Sequence, residues 1–180
     1  MRGLFDGAII CELPDSYEDV SYFREIPDNE EVLQESATDS SVIIELLEFQ
    51  DDVKDGEIAK FHFANIAEMN QVQSYTIEHM VKLDCPQQAF GHFMVCTGVQ
   101  TGIVKFREQD PVGNDISVSV AVARMKQLNL EIVISLSAPI TISQTSSSHT
   151  LGSVPNAARG KQVFETLVSS FQVKDYGLFA

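Results

Sequence analysis

The sequence predicts an α/β fold: a mainly antiparallel sheet of about six strands with helices on both faces. Three observations carry this. From Ile116 to Ala123 the side chains alternate, with Ile116, Val118, Val120 and Val122 on one face and Ser117, Ser119, Ala121 and Ala123 on the other. A second run places Leu128, Leu130, Ile132, Ile134 and Leu136 on one face and Glu131, Val133, Ser135 and Ser137 on the other. Joined through Lys126-Gln127, the two runs read as an antiparallel hairpin, and the small residues on its second face let a helix approach closely. Finally, Val163, Phe164, Leu167, Val168 and Phe171 recur at helical spacing near the end of the chain, which predicts an amphipathic helix beginning near Pro155-Asn156.

The other elements follow in order. Gly7 to Leu13 reads as a first strand, ended by Pro14-Asp15. Asp15 to Arg24 reads as a short helix, capped by Asp15 or Ser16, with Val20 and Phe23 pointing inward. A strand around Val32 to Glu35 and a polar turn, Ser36 to Ser41, come next. Val42 to Phe49 is a nearly continuous apolar run, β-branched at its start and too short for a helix, and reads as a central strand. A helix then runs from Asp55 or Gly56 to about Asn70, with Ile58, Phe61, Ile66 and Met69 on its apolar face. Thr76 to Leu83 reads as an edge strand, broken at Cys85-Pro86-Gln87-Gln88. Ala89 to Phe106 reads as one long or bent strand in which Gly98 and Gly102 mark a bulge or a close approach. Asp110 to Asp115 is a turn, Ser143 to Ser153 a flexible polar surface loop, and Leu178-Phe179 a docked tail.

With 44% hydrophobic and 21% charged residues, the chain is too apolar for disorder and reads as a single domain over 1–180. No apolar run is long enough for a membrane span, and the first residues lack the apolar core of a signal peptide, so a cytosolic or nuclear protein is expected. Cys11, Cys85 and Cys96 are odd in number and form no Cys-x-x-Cys, which predicts buried free thiols rather than a disulfide framework or a zinc site. His62 lies on the apolar face of the first long helix. It reads as a packed histidine bonded to the backbone; the competing role, general base or metal ligand, lacks a visible nucleophile and orienting group. No cofactor is expected.

Charge is the uneven feature. The net charge is −14. Residues 1–70 hold 18 Asp and Glu against 4 Lys and Arg, whereas residues 71–180 hold 8 of each. Such an acidic half repels nucleic acid and anionic lipid and attracts a basic protein face. Its most structured part is Arg24-Glu25-Ile26-Pro27-Asp28-Asn29-Glu30-Glu31-Val32. Pro27 cannot extend a helix and Asp28-Asn29 favours a turn, so the segment predicts a stiff exposed loop carrying Asp28, Glu30 and Glu31, with Arg24 as the nearest cation. The plainer reading is a solvated surface turn.

That segment, together with Leu4-Phe5-Asp6-Gly7-Ala8-Ile9, Val42-Ile43-Ile44-Glu45-Leu46-Leu47-Glu48, Phe61-His62-Phe63 through Glu68-Met69-Asn70, Gly98-Val99-Gln100 and Leu178-Phe179-Ala180, resembles in order the Ran guanine-nucleotide release factor family. The resemblance implies a three-layer α/β/α sandwich, also similar to an extrinsic photosystem subunit, a likeness of fold alone. It implies a protein that binds the GTPase Ran, promotes release of GTP and supports nuclear import, present in nucleus and cytoplasm. It carries no bond-making chemistry of its own. The implied partner-binding residues are Arg24, Pro27, Asp28, Glu30 and Glu31, with Asp28 and Glu31 weighted above Glu30. A rigid carboxylate pair can compete with phosphate for the GTPase's lysine and its magnesium. A Ran-binding protein is a further candidate partner, and a monomer is expected. The alternative is an adaptor in trafficking of a membrane protein, without nucleotide release.

Overall fold

The computed structural model describes residues 1–85, 91–104 and 112–179. Ten strands and three α-helices lie along it: β1 (Arg2–Leu4), β2 (Ile9–Cys11), β3 (Glu18–Asp19), β4 (Glu30–Glu35), β5 (Ser40–Glu48), α1 (Ile58–Met69), β6 (Ser74–Asp84), β7 (His92–Ile103), β8 (Asn114–Met125), β9 (Leu130–Thr141), α2 (Ser147–Thr150), α3 (Ala157–Ser170) and β10 (Gln172–Val173). Among the described residues they form a seven-stranded sheet, in the order β3-β4-β5-β9-β8-β7-β6, and a separate three-stranded sheet, β1-β2-β10. Every pairing is antiparallel. The sheet content thus exceeds the expected six strands, because the first thirteen residues and the tail build a small sheet of their own.

The β8–β9 hairpin follows the alternation of its sequence, with Arg124 opposite Glu131 and Val122 opposite Val133. Its joint is a 3-10 turn over Lys126–Leu128, closed by Asn129 at φ 50°, a left-handed conformation that asparagine tolerates. Leu128, expected on the inward face, therefore belongs to the turn and is exposed. One face of the hairpin, with Val118, Val120, Val122 and Val133, packs with Ile58, Ala59 and Phe63 of α1. The other, with Ala121, Ala123, Ile132, Ile134 and Leu136, packs with Val163, Phe164, Leu167 and Val168 of α3 and with Leu4, Ile9 and Cys11 of the small sheet. Asn156 caps α3 by accepting from the Arg159 N–H. The docked tail is also observed, Leu178 and Phe179 packing partly buried on this second core.

The strand readings for residues 42–49 and 76–83 match β5 and β6, the latter an edge. Of the long strand expected over 89–106, β7 forms the described part, with an irregular register between Gln100 and Ile103 where Gly102 takes φ +72°. A Cβ on Gly98 would stand 2.2 Å from the Thr76 carbonyl oxygen and 3.0 Å from Phe63 Cζ, so glycine is what lets α1 and β6 meet there. The expected break at 86–88, the start of the 110–115 turn and residue 180 lie outside the described residues.

Four expectations are corrected. The first strand, expected over Gly7 to Leu13, is shorter: β2 begins only at Ile9, because Phe5, Asp6 and Gly7 all take positive φ, at 49°, 55° and 86°, and turn β1 back into it. The helix expected over Asp15 to Arg24 is replaced by β3 and a 3-10 turn, Val20–Tyr22. Tyr22 and Phe23 are then 83% and 79% exposed, Phe23 pointing outward rather than inward. On α1, Ile58 is buried and Phe61 and Ile66 pack partly buried on the same core, as expected, but Met69 is exposed and the inward face is completed by Ala59, His62, Phe63 and Ala67. Finally, the serine-rich stretch is tethered. Ser146 and Ser148 are buried, the Ser148 hydroxyl donates to Asp39 at 2.6 Å, and the Val154 N–H donates to the Ala37 carbonyl at 2.9 Å.

Candidate functional site

The acidic segment between the 3-10 turn and β4 is an ordered turn. The Glu30 N–H donates to the Pro27 carbonyl at 2.9 Å, closing a four-residue turn with Asp28 and Asn29 at its centre. Asn29 then fixes the turn to β5 twice: its carbonyl accepts from the Leu46 N–H at 2.9 Å and its side-chain amide donates to the Leu46 carbonyl at 3.1 Å. Asn29 is a positioning residue that charge alone did not point to. Asp28, at the tip, is exposed.

Strand alternation then separates the next two acids. Glu30 stands opposite Glu45 and Glu31 opposite Ile44, and successive side chains of a strand point to opposite faces. Glu31 leans toward the small sheet, where it accepts a hydrogen bond from the Phe5 N–H at the strained β1–β2 turn. It is half-buried. Burial pushes its carboxyl above the ordinary glutamate range, and the charges of Asp19 and Asp6 add to this, against the Phe5 N–H and the charge of Arg2. The nearby cation is therefore Arg2, which also donates to the Tyr17 carbonyl, and not Arg24. Glu30 instead faces Glu45, whose carboxyl is raised first by burial and then by the Glu30 charge.

Pro27, Asp28, Glu30 and Glu31 together line a cleft of about 380 Å³, completed by Asp6, Asp19 and Leu178 among others. Arg24 is exposed and does not line it. Thus four of the five expected residues converge, but Asp28 and Glu31 are not an equivalent exposed pair. Asp6 and Asp19 complete the cluster from earlier in the chain, outside the Arg24–Val32 segment. Among the described residues no lysine or arginine makes an ion pair with Asp6, Asp19, Asp28, Glu30 or Glu31.

His62 has a different partner from the one expected. Its Nε2 lies 2.8 Å from Glu131 Oε2, and both side chains are buried. The other oxygen of Glu131 accepts from Arg124 Nε at 2.8 Å and from the Gln50 N–H at 3.1 Å. Arg124 donates further to the carbonyls of Val53 and Gln50, and its guanidinium carbon sits 3.9 Å from the Phe49 ring centre. Burial would raise the Glu131 carboxyl, but the His62 and Gln50 hydrogen bonds and the charges of His62 and Arg124 outweigh it and hold the group below its ordinary value. A cleft of about 270 Å³ does open beside His62, lined by Glu45, Gln50, Asn65 and Met69 among others, yet it offers no serine, cysteine, threonine or lysine as nucleophile. The network chiefly anchors the loop of residues 50–55 and the start of α1.

All three cysteines are buried, and burial raises the Cys11 and Cys96 thiols to about 11, which keeps those two protonated and unreactive. No described helix is long and apolar enough to cross a membrane.

Relatives of this chain are known. The chain is 34% identical to the Ran guanine nucleotide release factor of Danio rerio, the match covering 99% of this chain and 98% of that protein. It is 27% identical to the nuclear import protein MOG1 of Saccharomyces cerevisiae, over 98% of this chain and 83% of that one. The crystal structure of the Saccharomyces cerevisiae Ran-binding protein Mog1p superposes with a TM-score of 0.73 at 25% identity, covering 99% of this chain and 97% of that one. The family profile described as Ran-interacting Mog1 protein matches residues 2–139, most of the chain and all but the last two residues of its large sheet. With that match and the full-length relatives, this protein belongs to the Ran-interacting Mog1 family.

Proposed function

We propose that this protein binds the GTPase Ran and promotes release of its guanine nucleotide in support of nuclear import, as a GTPase regulator rather than a catalyst of bond chemistry. The family and the names of its full-length relatives support the partner and the activity. The single observation that supports the site is the acid cleft at the Pro27–Glu31 turn, whose carboxylates have no internal ion-pair partner among the described residues. Asp28, held out on a turn that Asn29 fixes to β5, meets Ran's cationic groups first. Asp6, Asp19, Glu30 and Glu31 supply the surrounding field, and Pro27 keeps the turn stiff. Carboxylates so placed compete with the nucleotide's phosphates for lysine and magnesium, and loss of those contacts speeds nucleotide departure. Arg24, outside the cleft, acts at its margin.

We further infer a single domain over 1–180 that works as a monomer in nucleus and cytoplasm, layered as an α/β/α sandwich. The hydrophobic clusters on the two faces of the β8–β9 hairpin support the layering. Release of labelled guanine nucleotide from purified Ran is the test. Acceleration by this protein is expected. Capture of Ran with no change in release rate would leave a binding adaptor, and no interaction would overturn the reading.

A further inference from the structure

Beside the acid cleft stands an apolar feature that charge does not explain. Tyr22 and Phe23, two adjacent large aromatics, are 83% and 79% exposed. Soluble proteins leave single apolar residues at the surface freely, but paired aromatics on one turn form a contact patch. The turn is well ordered. β3 ties it to β4 through Glu18 opposite Gln34 and Asp19 opposite Leu33. Asp19 caps it by accepting from the Ser21 N–H at 2.7 Å, and the N–H groups of Phe23 and Arg24 both donate to the Val20 carbonyl, at 2.9 and 3.1 Å. The two rings therefore project from a fixed base and lose little backbone freedom on contact. The same short stretch supplies the wall of the cleft, through Asp19 and Ser21.

We propose that Tyr22 and Phe23 are the apolar anchor of the partner-binding surface. The segment that seats on them presents an apolar side chain flanked by lysine or arginine, the basic side chain entering the cleft of Asp19, Asp28 and Glu31. Charge complementarity selects this occupant: the stretch that carries the two rings also lines a cleft of five carboxylates that make no ion pair among the described residues, so an acidic or purely apolar partner would leave them unmatched. Aromatic residues of this kind dominate interface energetics when a partner covers them, while neighbouring charges set encounter rate and orientation. The proposal rests on the Ran reading above and divides its surface into two parts with different signatures.

The test measures binding of nucleotide-free Ran across a range of salt concentrations for the parent protein, Tyr22→Ser with Phe23→Ser, Tyr22→Leu with Phe23→Leu, and Asp28→Asn. The serine pair should weaken binding at least about tenfold through faster dissociation, with the salt dependence unchanged. The leucine pair should recover most of the affinity, and Asp28→Asn should flatten the salt dependence by slowing association. Both aromatic pairs should melt with the parent, since neither ring is part of the core. A serine pair that melts with the parent and binds Ran within twofold of it overturns the anchor while leaving the Ran reading intact. So does a leucine pair as weak as the serine pair. A parent protein that binds no Ran at all overturns the functional reading, and the anchor with it.

Discussion

Two groups of acidic residues in this protein have opposite fates. Glu131 and Glu35 are buried and each is matched: Glu131 by Arg124 and His62, Glu35 by Arg159 at 2.6 Å together with the hydroxyls of Ser16 and Thr38. Asp6, Asp19, Asp28, Glu30 and Glu31 crowd one cleft with no ion pair among the described residues. The first group gives up hydration and regains it through fixed donors, so its contribution is to the fold. The second keeps its field unspent, which suits it to the association proposed above. The −14 charge of the sequence is therefore a poor guide to function until each acid is assigned to one group.

The assignment can be broken most forcefully at Arg124. Arg124→Ala leaves Glu131 buried with only His62 and the Gln50 N–H as partners and frees the loop of residues 50–55. A loss of roughly 3–5 kcal/mol is expected, as when one partner of a buried pair is removed. Thermal melting should register this as a fall of about 2–4 °C per kcal/mol for a chain of this size. An unchanged midpoint would mean the network is not structural.

Next in size is Asp28→Lys. It sets a cation against Ran's own cations, and like-charge contacts across an interface cost several kcal/mol. Ran capture and nucleotide release should both be lost, while stability moves by less than about 0.5 kcal/mol. Glu57→Lys, in the acidic half but outside the cleft, is the control. Equal weakening by both would reduce the cleft to bulk charge.

An acid titration sharpens the same contrast. The folded state depresses the Glu131 and Glu35 carboxyls, so their stabilisation is present above about 4.5 and is lost as the pH falls through their lowered values. The Glu31 and Glu45 carboxyls are raised, so the fold is relieved as they take up protons between their raised values and about 4.5. Melting temperature should rise slightly on mild acidification and then drop. A drop that begins directly below neutral pH would show that the cleft acids carry no strain. The smallest effect is expected from Glu31→Gln, which keeps an oxygen for the Phe5 N–H while removing one cleft charge. Stability should change by less than about 0.5 kcal/mol, and Ran association should slow less than with Asp28→Lys. A destabilisation above that size would move Glu31 into the structural group.

The sequence was most legible where one periodicity ruled. The β8–β9 hairpin and α3 carry uniform patterns and, Leu128 apart, appear as read. The stretch from Asp15 to Arg24 was misread because its Val20 and Phe23 sit three apart, yet a helix so short is marginal without a buried face. Adding Glu18–Asp19 to the edge of β4 wins instead. On α1, Met69 outranks Ala67 and His62 in hydrophobicity, but small Ala67 fits against the sheet and His62 turns inward because Glu131 waits there, 69 residues away. At the site, the turn itself was readable from Pro27-Asp28-Asn29. The divergence of Glu30 from Glu31 follows from alternation only once β4 is known to begin at Glu30. Arg2, Asp6 and Asp19 join Glu31 through tertiary contacts that leave no local signal.

The two margins of the large sheet differ as much as its acids do. At the acid end the margin is β3, two residues long, while the opposite margin, β6, runs for eleven residues with nearly every one exposed. A long open margin is a template on which another chain can hydrogen-bond, the first step toward insoluble protein. Here the template is spoiled from within. Its register slips between Ile77 and His79, and Glu78, Lys82 and Asp84 punctuate its apolar residues. An incoming strand would lose registry at the slip and meet charge there and beyond it. The same irregular strand thus acts as a safeguard of solubility, and the kink at Ile77 matters to the protein's life at high concentration more than to its shape.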